Sequence, residues 1–102
     1  MRKLINEDFF LISEIADKMD FTLPPSTKYV GGKEANKTQA EYGTEIMTLL
    51  LKKAYKAQEP INQLLSNVME KELKEIEALS IMETVKSMTE LFKQEGFIDF
   101  FK

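Results

Sequence analysis

Thr38-Gln39-Ala40-Glu41-Tyr42-Gly43-Thr44-Glu45-Ile46-Met47-Thr48-Leu49-Leu50-Leu51 decides the fold class. Thr38 and Glu41 have the Thr-x-x-Glu form of a capping box, in which each side chain satisfies an orphan backbone N–H at a helix start. Tyr42, Ile46, Leu49, Leu50 and Ala57 then share one helical face, with Met47, Leu51 and Ala54 beside it. This spacing predicts a helix that runs to Ala57, the most apolar of the chain and therefore expected at its centre. Gly43 inside it costs about 1 kcal/mol relative to Ala.

Toward the C-terminus, Pro60 is expected in the first turn of the next helix, since it lacks the N–H a helix interior needs and its φ is already helical. Ile61, Leu64, Leu65 and Val68 follow at i, i+3, i+4 and i+7. The polar stretch Glu70-Lys71-Glu72 precedes a resumed pattern at Leu73, Ile76 and Leu79, so one helix or two can span this region. Ser80-Ile81-Met82-Glu83 is a second capping box, and Ile81, Val85, Met88 and Phe92 form the stripe behind it. Gly96 is a natural helix stop, and Phe97-Ile98-Asp99-Phe100-Phe101-Lys102 closes the chain.

Toward the N-terminus, Ile5, Phe9, Ile12, Ala16 and Met19 recur at helical spacing, widened by Phe10, Leu11 and Ile15. Asn6 is the expected N-cap, Glu7 and Asp8 complement the helix dipole, and the helix should end near Asp20. Between this helix and Thr38, two prolines, two glycines and two threonines from Thr22 to Gly32 exclude a continuing helix. Residues 22–37 are therefore expected to be a long mobile loop. Tyr29 and Val30 suit a short extended piece, but no partner strand is evident. Gly31-Gly32-Lys33 is not a phosphate-binding loop, because Thr27 stands where that motif needs its first Gly and Glu34 where it needs Ser or Thr. It reads as a loose turn. The expected fold is all-α: four to five amphipathic helices in a small bundle with one long Pro/Gly loop, forming a single domain over residues 1–102.

Composition narrows the chemistry. The 102 residues include no Cys and no His, which removes disulfides, thiolate and imidazole metal sites, Cys nucleophiles and every Ser-His triad. The chain carries a net charge of −3. Its lysines exceed its acids from Lys28 to Lys56, and the reverse holds from Glu59 to Glu83. Arg2 is the lone arginine, and the densest basic cluster is Lys52, Lys53 and Lys56, too sparse for a nucleic-acid footprint. No apolar run approaches the roughly 20 residues of a membrane span, and no signal-peptide core follows Met1 to Leu4. The expected setting is a cytoplasm, with neither nucleic acid nor membrane as partner and no cofactor.

Two groups of side chains invite a functional reading. Glu70, Glu72, Glu75 and Glu77 offer oxygen ligands but lack calcium-loop spacing, and read as a solvated helix face with Glu70 paired to Lys74 at i, i+4. The terminal rings carry more weight. Phe9, Phe10, Phe97, Phe100 and Phe101 lie where chain ends are usually frayed and polar, so something must cover them. Either the C-terminal segment folds back on the first helix, or the rings meet another chain. Phe9, Phe97, Ile98, Phe100 and Phe101 are the candidate protein-binding residues, and self-association is expected.

Glu59-Pro60-Ile61-Asn62-Gln63-Leu64-Leu65, Glu75-Ile76-Glu77-Ala78-Leu79, Leu91-Phe92-Lys93-Gln94-Glu95-Gly96-Phe97 and the ending Asp99-Phe100-Phe101-Lys102, behind a Phe-bearing first helix, resemble the small tail assembly chaperones of long-tailed bacteriophages and prophages of Gram-positive bacteria. The resemblance covers most of the chain outside residues 22–37. Departures are Met69-Glu70 in place of a Thr-Gly-like turn and Ser80 in place of a Pro. The resemblance implies a non-enzymatic, all-helical protein in the host cytoplasm that self-associates and coats the tape measure protein, keeping it soluble. It also implies a longer form, made by ribosomal frameshifting, that recruits the tail tube protein. The alternative from another class is a small helical regulator or antitoxin-like adaptor that sequesters one partner.

Overall fold

The computed structural model describes residues 1–20, 22–94, 96 and 97. The first helix, α1, spans Phe9–Met19 behind a single 3-10 turn, Asn6–Asp8. Asn6 is not its cap. Asp8 holds the N-cap position without a side-chain capping bond to α1; its carboxylate instead closes the 3-10 turn ahead of it, accepting the Ile5 N–H at 2.8 Å while the Arg2 guanidinium donates to both of its oxygens. Asp20, with φ 47°, ends α1 in the left-handed conformation. Of the expected stripe, Ile12, Ile15 and Met19 are buried; Ile5, Phe9 and Phe10 stay exposed, ahead of the turns that meet the core.

The segment expected to be a structureless loop is a β-hairpin, so the fold is mostly helical but not all-α. Strand β1, Thr27–Val30, pairs antiparallel with β2, Lys33–Asn36, in the register Thr27 opposite Asn36 to Val30 opposite Lys33. Gly31 and Gly32 form the two-residue turn with φ 60° and 80°. Two successive positive φ values define a turn whose twist matches that of paired strands, and glycine reaches them without steric cost. The hairpin is tied to the helix that follows it. Tyr42 Oη donates to Pro24 O at 2.8 Å, and Lys28 and Lys37 pair with Glu41 and Glu45.

That helix, α2, spans Gln39–Lys53 and is capped as expected, the Thr38 hydroxyl accepting from Glu41 N–H at 3.1 Å. A 3-10 segment, Ala54–Ala57, links it directly to α3, Gln58–Met69. The centre of the domain is α3 rather than α2: α3 buries Pro60, Ile61, Leu64, Leu65 and Val68, whereas α2 buries only Ile46 and Leu50. The reason is topological. α3 packs against α1, α5 and the short helix α4, Leu73–Glu77, while α2 touches α5 and the 3-10 segment.

Glu70, with φ 54°, breaks the chain after α3, so Pro60 to Leu79 makes two helices. The break also separates Glu70 from Lys74, and the expected pair on a continuous helix does not form. Helix α5, Ile81–Phe92, is capped by Ser80, whose hydroxyl accepts from Glu83 N–H at 3.2 Å. Gly96, with φ 90°, then turns the chain so that Phe97 returns to the core, its ring centroid 5.1 Å from that of Phe92. The N-terminal residues lie across this assembly: Arg2 N–H donates to Val68 O at 2.9 Å, and Gln94 Nε2 donates to Arg2 O at 3.1 Å.

A radius of gyration of 15.0 Å exceeds the value of about 13 Å typical of a compact domain of this length. The elongated shape, 51 × 28 × 23 Å, leaves a large share of the apolar side chains at the surface.

Candidate protein-binding surface

Of the expected binding residues, Phe9 lies in the first turn of α1, half exposed, and meets Phe10 edge to face at 5.4 Å between centroids. Phe10 is 74% exposed. Phe97 is fully buried and packs against Phe92 of α5 rather than against the first helix, so within the single chain its ring belongs to the core. Ile98, Phe100 and Phe101 lie outside the described residues.

A second apolar surface arises where the sequence pattern indicates core. Ile81 and Val85 belong to the periodic stripe of α5, yet Ile81 is 84% exposed, its neighbour Met82 is 83% exposed and Val85 is also open to solvent. The buried residues of α5 are Ser87, Met88, Leu91 and Phe92, all in its C-terminal half. Helix α5 thus runs past the core beneath it, and its first two turns form an apolar ridge. Periodicity identifies the apolar face but does not reveal what covers it.

Beside the ridge lies an open cavity of about 320 Å³, floored by Ile61, Ile76 and Met88 and bounded by Tyr55 and Thr84. Tyr55, 73% exposed, stands on the 3-10 segment on the far side. Nothing in the sequence singles out Tyr55, because at helical spacing it falls off the face that carries Ile46 and Leu50. A second open cavity, about 580 Å³, adjoins the first through Gln58, Asn62 and Glu77 and extends to Leu11 and Glu14 of α1.

Titratable groups with shifted properties lie away from this surface. The Arg2 guanidinium holds the Asp8 carboxyl below its usual range against the opposing effect of burial, and Lys28 does the same for Glu41 at the surface. Both are ion pairs that fasten structure. Among the described residues, no group of three or more acidic side chains is placed to hold a metal ion, and no helix is long and apolar enough to cross a membrane. What the surface offers chemically is aliphatic and aromatic anchors beside a groove, the arrangement by which proteins bind helices. No protein-family model, no curated protein and no solved structure matches the chain.

Proposed function

We propose that this chain is a phage tail assembly chaperone: a non-enzymatic protein of the bacterial host cytoplasm that self-associates and binds the tape measure protein, keeping it soluble during tail assembly. In this reading a longer frameshifted form engages the tail tube protein. The observation that supports it is the ridge of Ile81, Met82 and Val85 standing in solvent beside the Tyr55 groove. Side chains of this kind contribute about 1.5–3 kcal/mol each when fully buried. One copy therefore gains little over the several kcal/mol that association costs, and self-association raises the effective concentration of ridges along a long partner.

Replacement of both Ile81 and Val85 by Ser tests the reading. Helix content and melting should stay close to those of the parent, since neither side chain is in the core, while assembly in light scattering is lost and co-expressed tape measure protein precipitates. A double variant that assembles normally and keeps the tape measure protein soluble contradicts the ridge as the binding element.

A further inference from the structure

We infer that the two adjoining cavities along α3 form a docking trough for a lysine- or arginine-bearing amphipathic helix of a partner protein. This rests on the reading of the chain as a binder of a helical partner and names the chemistry of the bound segment. The floor is apolar, built by Pro60, Ile61, Ile76 and Met88, with Leu73 and Tyr55 at the rim. The charged residues that line it are all acidic: Glu14, Glu59 and Glu77. Lys18 already pairs with Glu14 at 3.0 Å. Glu59 and Glu77 form no ion pair among the described residues, so the middle of the trough presents uncompensated negative charge above an apolar floor.

The shape suits a helix. The trough is open along its length, whereas small-molecule sites enclose most of their ligand, and helices pack by laying side-chain ridges into grooves of this kind. Its charge selects which helix. The exposed ridge of a second copy is a poor occupant of this trough, because its α5 holds Glu83 among the apolar residues and would set a carboxylate against Glu59 and Glu77. A helix with one apolar face flanked by Lys or Arg matches floor and rim together, and opposite charge across an interface sets specificity and on-rate.

The test uses the full chain, isotope-labelled, titrated with a synthetic amphipathic helical peptide of Leu, Ala and Lys and with its counterpart carrying Glu for Lys. The Lys peptide should shift the amides of Tyr55, Asn62, Gln63, Glu77 and Thr84 saturably, and the Glu peptide should not. The double variant Glu59→Gln, Glu77→Gln should bind the Lys peptide about tenfold more weakly, whereas Glu34→Gln with Glu90→Gln, away from the trough, should not weaken it. Shifts confined to other surfaces, equal binding of both peptides, or the same amides shifting on dilution of the chain alone would overturn the proposal, the last by assigning the trough to a second copy. Loss of peptide binding with tape measure binding retained moves the chaperone's contact elsewhere. Peptide binding with no tape measure binding leaves the trough and removes the chaperone reading.

Discussion

The Arg2 guanidinium donates to both carboxylate oxygens of Asp8, at 2.8 and 3.1 Å, and Ile5 N–H donates to the same carboxylate at 2.8 Å. The Asp8 side chain is 1% exposed, so a buried charge is held by three hydrogen bonds. The Arg2 backbone bonds to Val68 of α3 and to Gln94 beyond α5, and this one residue fastens the N-terminal segment over the core.

Replacement of Asp8 by Ala should cost about 1–3 kcal/mol at neutral pH, through loss of the pair and of the Ile5 partner. The Asp8 carboxyl is lowered in the folded chain, chiefly by the Arg2 hydrogen bond. Its stabilisation is therefore complete above the unfolded Asp value of about 3.9 and fades as pH falls through the lower folded value. Urea melts of parent and variant should differ at neutral pH and converge in strong acid. A difference that persists undiminished there would contradict this role.

Phe97 and Phe10 should separate by stability. Phe97→Ala removes a fully buried ring packed on Phe92 and should cost about 3–5 kcal/mol. Phe10→Ala removes an exposed ring with one edge contact to Phe9 and should cost less than about 1 kcal/mol. Thermal unfolding followed by circular dichroism measures both, and equal losses would show that Phe97 is not the core residue described above.

Gly31 and Gly32 set the hairpin turn. An Ala at either site meets no atom within 4 Å, so its cost is the positive φ alone, about 1–2 kcal/mol. The loss should stay local: amide exchange at Tyr29 and Val30 should accelerate while the exchange of α3 is unchanged. Asn at Gly32 should be tolerated better, since its side chain supports the left-handed conformation. Loss of protection in α3 would mean that the hairpin is integral to the core.

The helices were legible in the sequence because their ends are written in single residues. Thr38 and Ser80 cap where expected, Pro60 lies in the first turn of α3, and Gly96 turns the chain after α5. The hairpin was not, because Lys33-Glu34-Ala35-Asn36 has no apolar alternation; only the Gly31-Gly32 pair signals that Tyr29-Val30 and Lys33-Glu34 face each other. Asp8 reads locally as a dipole-complementing acid, and its burial depends on where Arg2 falls in space. Ile81 and Val85 carry the same periodic signal as Met88 and Phe92, and only the tertiary packing separates the exposed half of that stripe from the buried half.

The proposed function stands or falls on whether this chain keeps a tape measure protein in solution. The most direct measurement is co-expression with the tape measure protein that the proposed function pairs with this chain, followed by sedimentation and light scattering of the soluble fraction. The tape measure protein should be soluble only in the presence of this chain, in a complex holding many copies of it, and should precipitate with the Ile81→Ser, Val85→Ser variant. A tape measure protein that is equally soluble alone, or that precipitates beside a well-folded, monomeric parent chain, would contradict it.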